Sequence, residues 1–251
     1  MALNSITPQS TDRFACLIVG PAGIGKTSLL RTLCGQWYDE SEEKPTKRWK
    51  TYDGVKPEKV CVLSAESGLL CVRDLVVAGT IQGFEISSLA DFEEAQRTIV
   101  TPRFKEQGFR WVFIDSLTEI ASRCSEHFER CYTDKSDTIK MWQAYSKEMT
   151  SIVKAFRDLA DYNVVFTCLE TTVKDNDGID RIAPDLSGKQ IKGRLTSYFD
   201  EVFHMERVKF AEGSRTVFDT CNRVGLSKDR SGKLETYEAP NLLAIQQKIL
   251  G

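Results

Sequence analysis

The segment Gly20-Pro21-Ala22-Gly23-Ile24-Gly25-Lys26-Thr27-Ser28 fits the spacing G-x-x-x-x-G-K-[ST] and directly follows the apolar run Phe14-Ala15-Cys16-Leu17-Ile18-Val19. This feature constrains the chain most, because it calls for a buried strand, a tight glycine-rich loop and a helix in immediate succession. Glycines at 20, 23 and 25 open backbone conformations closed to residues with a Cβ, so successive N–H groups can turn inward around an anion. Lys26 is spaced to reach the β- and γ-phosphates of a nucleotide, and Thr27 to offer its hydroxyl to Mg²⁺. The helix expected over 26–36 directs its positive end at the same point. Every residue from Gly20 to Ser28 is therefore a candidate nucleotide contact.

The rest of the chain agrees with an α/β fold. Apolar, β-branched runs at 13–19, 59–65, 84–88, 109–115 and 163–169 alternate with helical patterns at 26–36, 90–100, 117–131 and 138–160. Such alternation predicts a mostly parallel sheet flanked by crossover helices. Shorter strands at 201–208, 215–220 and 222–227, joined by turns such as Glu212-Gly213-Ser214, predict an antiparallel C-terminal extension. Residues 38–58 and 171–188 are polar and lack periodicity, so both read as exposed loops. With 251 residues, the expected organisation is a short arm over 1–12 and a single domain over 13–251.

Charge narrows the partners. The 34 basic and 36 acidic residues nearly cancel, so no global field draws the chain to nucleic acid, and such contact must come from a local patch. No apolar run approaches a membrane span, and Met1 to Pro8 lack the pattern of a leader, so a cytoplasmic location is expected. Eight cysteines, several within apolar strands (Cys16, Cys61, Cys168), read as small buried thiols of a reducing compartment. Cys124, His127 and Cys131 share a helical face with metal-ligand spacing; no fourth ligand is evident, so a thiol-bearing helix face accounts for them better than a metal site.

Three further landmarks bear on the nucleotide. Trp111-Val112-Phe113-Ile114-Asp115-Ser116 is an apolar strand ending in a carboxylate, the position of the acid that holds Mg²⁺; the alternative is a helix-capping aspartate. Val60-Cys61-Val62-Leu63-Ser64-Ala65-Glu66 delivers a second acid in the same way, and Glu66 could orient or polarise an attacking water. Glu170, after the strand at 163–169, sits where a γ-phosphate sensor would lie, an odd place for a carboxylate. Late in the chain, Lys228 and Arg230 form a K-x-R pair whose alternate residues share a strand face. Two adjacent cations suit an anion, such as a γ-phosphate bound by a neighbouring subunit, and otherwise form a solvated basic turn.

Glu66, the Asp115-Ser116 ending and the Lys228/Arg230 pair together resemble the RecA-type branch of P-loop ATPases, over nearly the whole chain. The phrases Ser64-Ala65-Glu66-Ser67-Gly68-Leu69-Leu70, Phe199-Asp200-Glu201-Val202 and Lys228-Asp229-Arg230-Ser231-Gly232-Lys233-Leu234 further resemble AAA-type phage nucleotide-binding proteins related to the Sak-type single-strand annealing recombinases. The resemblance implies a RecA-like core binding ATP and Mg²⁺, catalysis by Lys26 and Glu66 with Lys228 and Arg230 acting from a neighbouring subunit, and assembly into rings or filaments. It also implies action on single-stranded DNA in the cytoplasm of a phage host, with phage single-strand-binding or replication proteins as further partners. Glu170 departs from the amide that RecA proteins carry at this place. In the residues themselves, Lys174, Arg181, Lys189, Lys192 and Arg194 form a candidate DNA-tracking patch, diluted by Asp175, Asp177 and Asp180. An alternative function is a nucleotide-gated module that recruits a protein partner through its charged loops and does not bind DNA.

Overall fold

The computed structural model describes residues 13–39, 48–53, 55–66, 68–175, 177–221 and 225–251; the side chains of 135, 189 and 190 also fall outside the description. The arm expected at 1–12, residues 40–47 of the first loop and 222–224 of the last expected strand lie outside the described residues.

The first strand, β1 (Ala15–Gly20), leads through the glycine loop into a single 3-10 turn, Thr27–Leu29, and a one-turn helix, α1 (Leu30–Leu33). This helix is shorter than the expected 26–36, because Gly35 takes a positive φ of 74° and turns the chain into β2 (Gln36–Tyr38), which pairs antiparallel with β3 (Trp49–Thr51). There follow β4 (Val60–Ser64), α2 (Arg73–Val77), β5 (Ile81–Glu85), α3 (Leu89–Ile99), α4 (Pro102–Lys105) and β6 (Trp111–Asp115). Two long helices, α5 (Leu117–Cys131) and α6 (Thr138–Arg157), precede β7 (Asn163–Lys174), β8 (Asp180–Pro184) and α7 (Lys189–Arg194). The chain closes with β9 (Glu201–Phe210), β10 (Gly213–Asp219), β11 (Lys228–Asp229), β12 (Tyr237–Glu238) and α8 (Leu242–Leu250).

Ten of these strands form one sheet, in the order β12-β10-β9-β1-β7-β6-β4-β5, with β11 added on β9 and β8 on β7. From β9 to β5 all pairings along this path are parallel; β10, β12 and β11 give the expected antiparallel extension, but the described residues 225–227 of the strand expected at 222–227 are not strand, and β11 and β12 follow instead. β7 inserts between β1 and β6, so the strand carrying the loop and the strand ending in Asp115 are one strand apart.

The central strands are apolar at most of their buried positions because both faces are covered. Leu17, Val19, Val112, Ile114, Val164 and Phe166 pack on one side with residues of α3, α5 and α6, including Phe92, Ile120, Met149 and Phe156. Cys16, Ile18, Trp111, Phe113 and Val165 pack on the other with Leu29, Leu30 and Leu33 beside the loop, and with Leu242 and Ile245 of α8. Short polar side chains set the helix starts: Ser88, Thr101, Ser116 and Asn241 each accept a backbone N–H three residues on.

The expected loop at 171–188 is largely a hairpin. β7 continues to Lys174, and Thr171 to Val173 pair with Arg181 to Ala183 of β8. Asp175 builds the turn, its Oδ1 accepting the N–H groups of Asp177 and Ile179 at 3.0 and 2.9 Å, while Gly178 supplies a positive φ of 77°. The acids that read as loop polarity are thus turn chemistry, and Asp177-Gly178 is a hairpin signal that the polar composition masks. Among the described residues, no helix is long and apolar enough to cross a membrane.

One buried acid lies at the opposite end of the sheet from the loop. Glu201 pairs in register with Cys16, is 4% exposed, and has one carboxyl oxygen without a hydrogen-bond partner. Burial, with Asp229 adding its charge, pushes its pKa from 4.5 up to about 7. A raised folded-state pKa means the native state binds the extra proton, so this group's stabilisation is full below pH 4.5 and is lost as pH rises to about 7. Glu201→Gln is therefore expected to raise stability at pH 8 by about 2–3 kcal/mol and to flatten the decline between pH 5 and 7. Urea denaturation across that pH range checks this; parallel curves for the two proteins would exclude the effect.

Candidate nucleotide site

The carboxyl ends of β1, β4 and β6 and the middle of β7 come together beside the glycine loop. Gly23 and Gly25 hold positive φ of 74° and 108°, as the loop chemistry requires. Gly20 is a glycine for a different reason: a Cβ there would lie 2.5 Å from the carbonyl oxygen of Met205 on the neighbouring β9. Lys26, 8% exposed, turns back into the loop and donates from Nζ to the carbonyl oxygens of Gly20 and Pro21, both at 2.8 Å. Burial lowers its pKa, and the carboxylates around it, Asp115 first, then Glu66 and Glu170, oppose that shift.

Asp115 is the centre of the site. It is buried, and it accepts two hydroxyl hydrogens: Thr27 Oγ1 to Oδ2 at 2.6 Å and Thr167 Oγ1 to Oδ1 at 2.5 Å. Burial raises its pKa, partly offset by these two donors, and Glu66 adds a further upward push. A buried carboxylate beside a second carboxylate is stabilised by a cation, and a threonine hydroxyl with a carboxylate oxygen is the hard-oxygen donor set that Mg²⁺ takes. The residues present therefore fit that ion.

Ser116, joined to Asp115 by a cis peptide bond, caps α5 and donates its hydroxyl to Glu66 Oε1. Glu66 itself is exposed at the mouth of the site. Its backbone is held from two sides: Ala65 N donates to Asp115 O at 2.7 Å, and Arg123 Nη2 of α5 donates to Ala65 O at 2.8 Å. Thr118, also on α5, accepts the N–H of Leu169 at 2.9 Å, pinning β7 midway along its length. The sequence landmarks Lys26, Thr27, Asp115 and Glu66 thus converge. Thr167, Thr118 and Arg123 were not legible as site residues. Thr167 carries a signal in hindsight, as a hydroxyl inside the otherwise apolar run Val164-Val165-Phe166.

On the other side of the loop a cavity of about 720 Å³ is lined by Gly23, Gly25, Tyr38, Trp49, Met205 and Tyr237. Tyr38 and Trp49 meet edge to face at 5.1 Å, so the β2–β3 pair, expected as loop, supplies an aromatic wall. Its chemistry suits a flat apolar group next to a phosphate.

The other candidates lie elsewhere. Lys228 Nζ donates to Thr196 O at 2.9 Å, and Arg230 pairs with Asp200 at 2.7 Å, both near the end of β9 opposite the loop. Lys174 pairs with Asp180 at 3.0 Å and Arg181 with Asp175 at 2.9 Å, within the β7–β8 hairpin. Lys192 is half-buried and Arg194 exposed on α7; the side chain of Lys189 lies outside the described residues. Cys131 Sγ lies 3.7 Å from His127 Nε2 on the exposed side of α5, while Cys124 is buried in the core, so the three do not converge. Glu170 accepts from His204 Nε2 at 2.7 Å.

A parallel sheet with a glycine loop, a buried lysine and a threonine–aspartate pair at its carboxyl edge defines a P-loop nucleotide-binding core of the NTPase type. A family model described as an AAA domain matches residues 13–232, and the chain belongs to this family. The search of curated proteins finds no match to the chain.

The Thr167 bond makes a prediction independent of any ligand. Thr167→Val leaves a buried Asp115 oxygen without its donor, at a cost of about 1–3 kcal/mol, and should lower Tm by roughly 3–10 °C. Thr167→Ser should stay near the parent. Equal Tm for the parent and the valine variant would show that Asp115 does not depend on this hydroxyl.

Proposed function

We propose that the chain is a Mg²⁺-dependent ATPase that works as an oligomer on single-stranded DNA. The observation that carries hydrolysis is the convergence of Thr27, Asp115 and the Ser116-bonded Glu66 beside Lys26. Thr27 and Asp115 would hold the Mg²⁺, which when bound neutralises charge on the β- and γ-phosphates. Lys26 exchanges its two loop carbonyls for phosphate oxygens. Glu66, aimed by Ser116, accepts a hydrogen bond from the attacking water and takes its proton as the new bond to the γ-phosphorus forms and the bond to the β–γ bridging oxygen breaks, releasing ADP and phosphate. The aromatic cavity at Tyr38 and Trp49 receives the base.

Support for single-stranded DNA comes from a groove between α6 and α7. Lys147, Lys154, Arg194 and Tyr198 line a cavity of about 440 Å³, with Lys154 Nζ 5.3 Å from the Tyr198 ring centroid. Cations with an aromatic face suit a phosphate track on which a base can stack. Lys174 and Arg181 are committed to Asp180 and Asp175, so this groove is a better track than the hairpin. Lys228 and Arg230 lie away from the loop of their own chain, and in an oligomer they would serve a neighbour's γ-phosphate.

ATPase rates with and without single- and double-stranded DNA across a salt series test this reading. Single-stranded DNA should raise turnover, and three phosphate contacts should give a log–log salt slope of about −2 in affinity. Glu66→Gln should keep nucleotide binding and lower kcat by about 10²–10⁴-fold. No response to any nucleic acid at any salt would favour the nucleotide-gated partner module instead.

The shared site has its own readout. Lys26→Ala mixed with Lys228→Ala should recover turnover that neither shows alone, because one interface in the mixture holds both lysines. A protein that stays monomeric with ATP and Mg²⁺, and variants that never complement, would remove the trans cation.

A further inference from the structure

The geometry points to a second cation site, separate from the nucleotide: we propose that His204, Glu206 and Asp219 bind a first-row divalent transition metal such as Zn²⁺. The antiparallel register of β9 and β10 sets His204 directly opposite Asp219, and Glu206, two residues along β9, shares the same face. One potential ligand atom from each of the three lies within 4.8 Å of the others, a juxtaposition that, among the described residues, occurs only here.

Two side-chain atoms of these residues are buried and have no partner. His204 is 5% and Asp219 0% exposed, and His204 Nδ1 and Asp219 Oδ2 have no hydrogen-bond partner. A buried carboxylate oxygen and a buried ring nitrogen left bare are each costly. The other side of the imidazole is engaged: Nε2 lies 2.7 Å from Glu170 Oε2. An Nε2–H given to Glu170 leaves Nδ1 with its lone pair, facing Asp219 and Glu206, whose Oε1 is 3.9 Å away. A lone pair opposed to two carboxylates repels them; a cation between them turns all three contacts favourable.

The surrounding pattern is that of a metal centre. A ligating histidine commonly gives its second ring N–H to a carboxylate, which fixes the tautomer and strengthens the ligand, and Glu170 occupies that position. One imidazole and two carboxylates suit Zn²⁺, Co²⁺ or Mn²⁺ better than Mg²⁺. Ligand bonds of about 2.0–2.2 Å require the three atoms to close by about an ångström. Glu206, long and half-exposed, can supply that movement, and three protein ligands leave a fourth position for water. The bound ion would brace β9 and β10 against β7 through His204 and Glu170, across the end of β1, where His204 lies beside Val19. This site does not rest on the ATPase reading.

The test uses the full chain, stripped with chelator and titrated with Zn²⁺ or Co²⁺. Elemental analysis should find one equivalent of Zn²⁺, Co²⁺ should give the visible absorption of a low-coordinate site, and Zn²⁺ at 100-fold over its Kd should raise Tm by about 5–10 °C. Asp219→Asn and His204→Gln should abolish the equivalent, and Glu170→Gln should weaken it by about 10–100-fold. Lys26→Ala, which removes the nucleotide lysine, and Cys131→Ser, which removes a competing thiol, should each retain it. The proposal is overturned by a parent protein with no stoichiometric metal, no cobalt absorption and no Tm response, the behaviour of a histidine held only by its bond to Glu170. It is equally overturned by a metal equivalent that survives Asp219→Asn. Should His204→Gln fail to fold, Asp219→Asn and the cobalt spectrum of the parent decide.

Discussion

Asp115 accepting from Thr27 on one side and Thr167 on the other is the interaction on which the site depends. Those two bonds tie together the residue after the glycine loop, the end of β6 and the middle of β7. A buried carboxylate is costly, and here the cost is offset by two hydroxyls and by the Lys26 ammonium nearby. The same three partners that make Asp115 tolerable also set where a dication could sit. Stability and site geometry therefore rest on one group, and a substitution at Thr167 touches both.

The parallel sheet was legible because its strands are buried on both faces and read as unbroken apolar runs. Leu117–Cys131 matches the expected helix 117–131 residue for residue, since Ser116 caps it and the apolar spacing is regular. The loop and its acids were legible because their chemistry demands fixed spacings. Three features were hidden. The helix after the loop stops early at Gly35, which a continuous helical pattern does not announce. The hairpin at 171–184 was masked because Asp175 and Asp177, which shape its turn, look like solvated polarity. Contacts between distant strands, such as Glu170 with His204, 34 residues apart, have no local signature at all.

The two candidate cation clusters in the sequence and in the structure differ for the same reason. Cys124, His127 and Cys131 follow a plausible spacing on one helix, yet the helix buries Cys124 in the core and turns His127 and Cys131 outward. His204, Glu206 and Asp219 have no motif between them; only the β9–β10 register brings them onto one face. Helical spacing is readable from numbers, whereas cross-strand spacing requires knowing which residues pair.

Met205 follows His204 on β9, and its carbonyl presses on Gly20 so closely that not even a methyl group would fit between. No side chain cushions that contact, so backbone touches backbone at the first residue of the phosphate loop. A sideways shift of β9 has nowhere to dissipate and must displace the loop itself. The C-terminal hairpin is in this sense a lever resting on the nucleotide site, and whatever grips β9 and β10 from outside also grips the cradle.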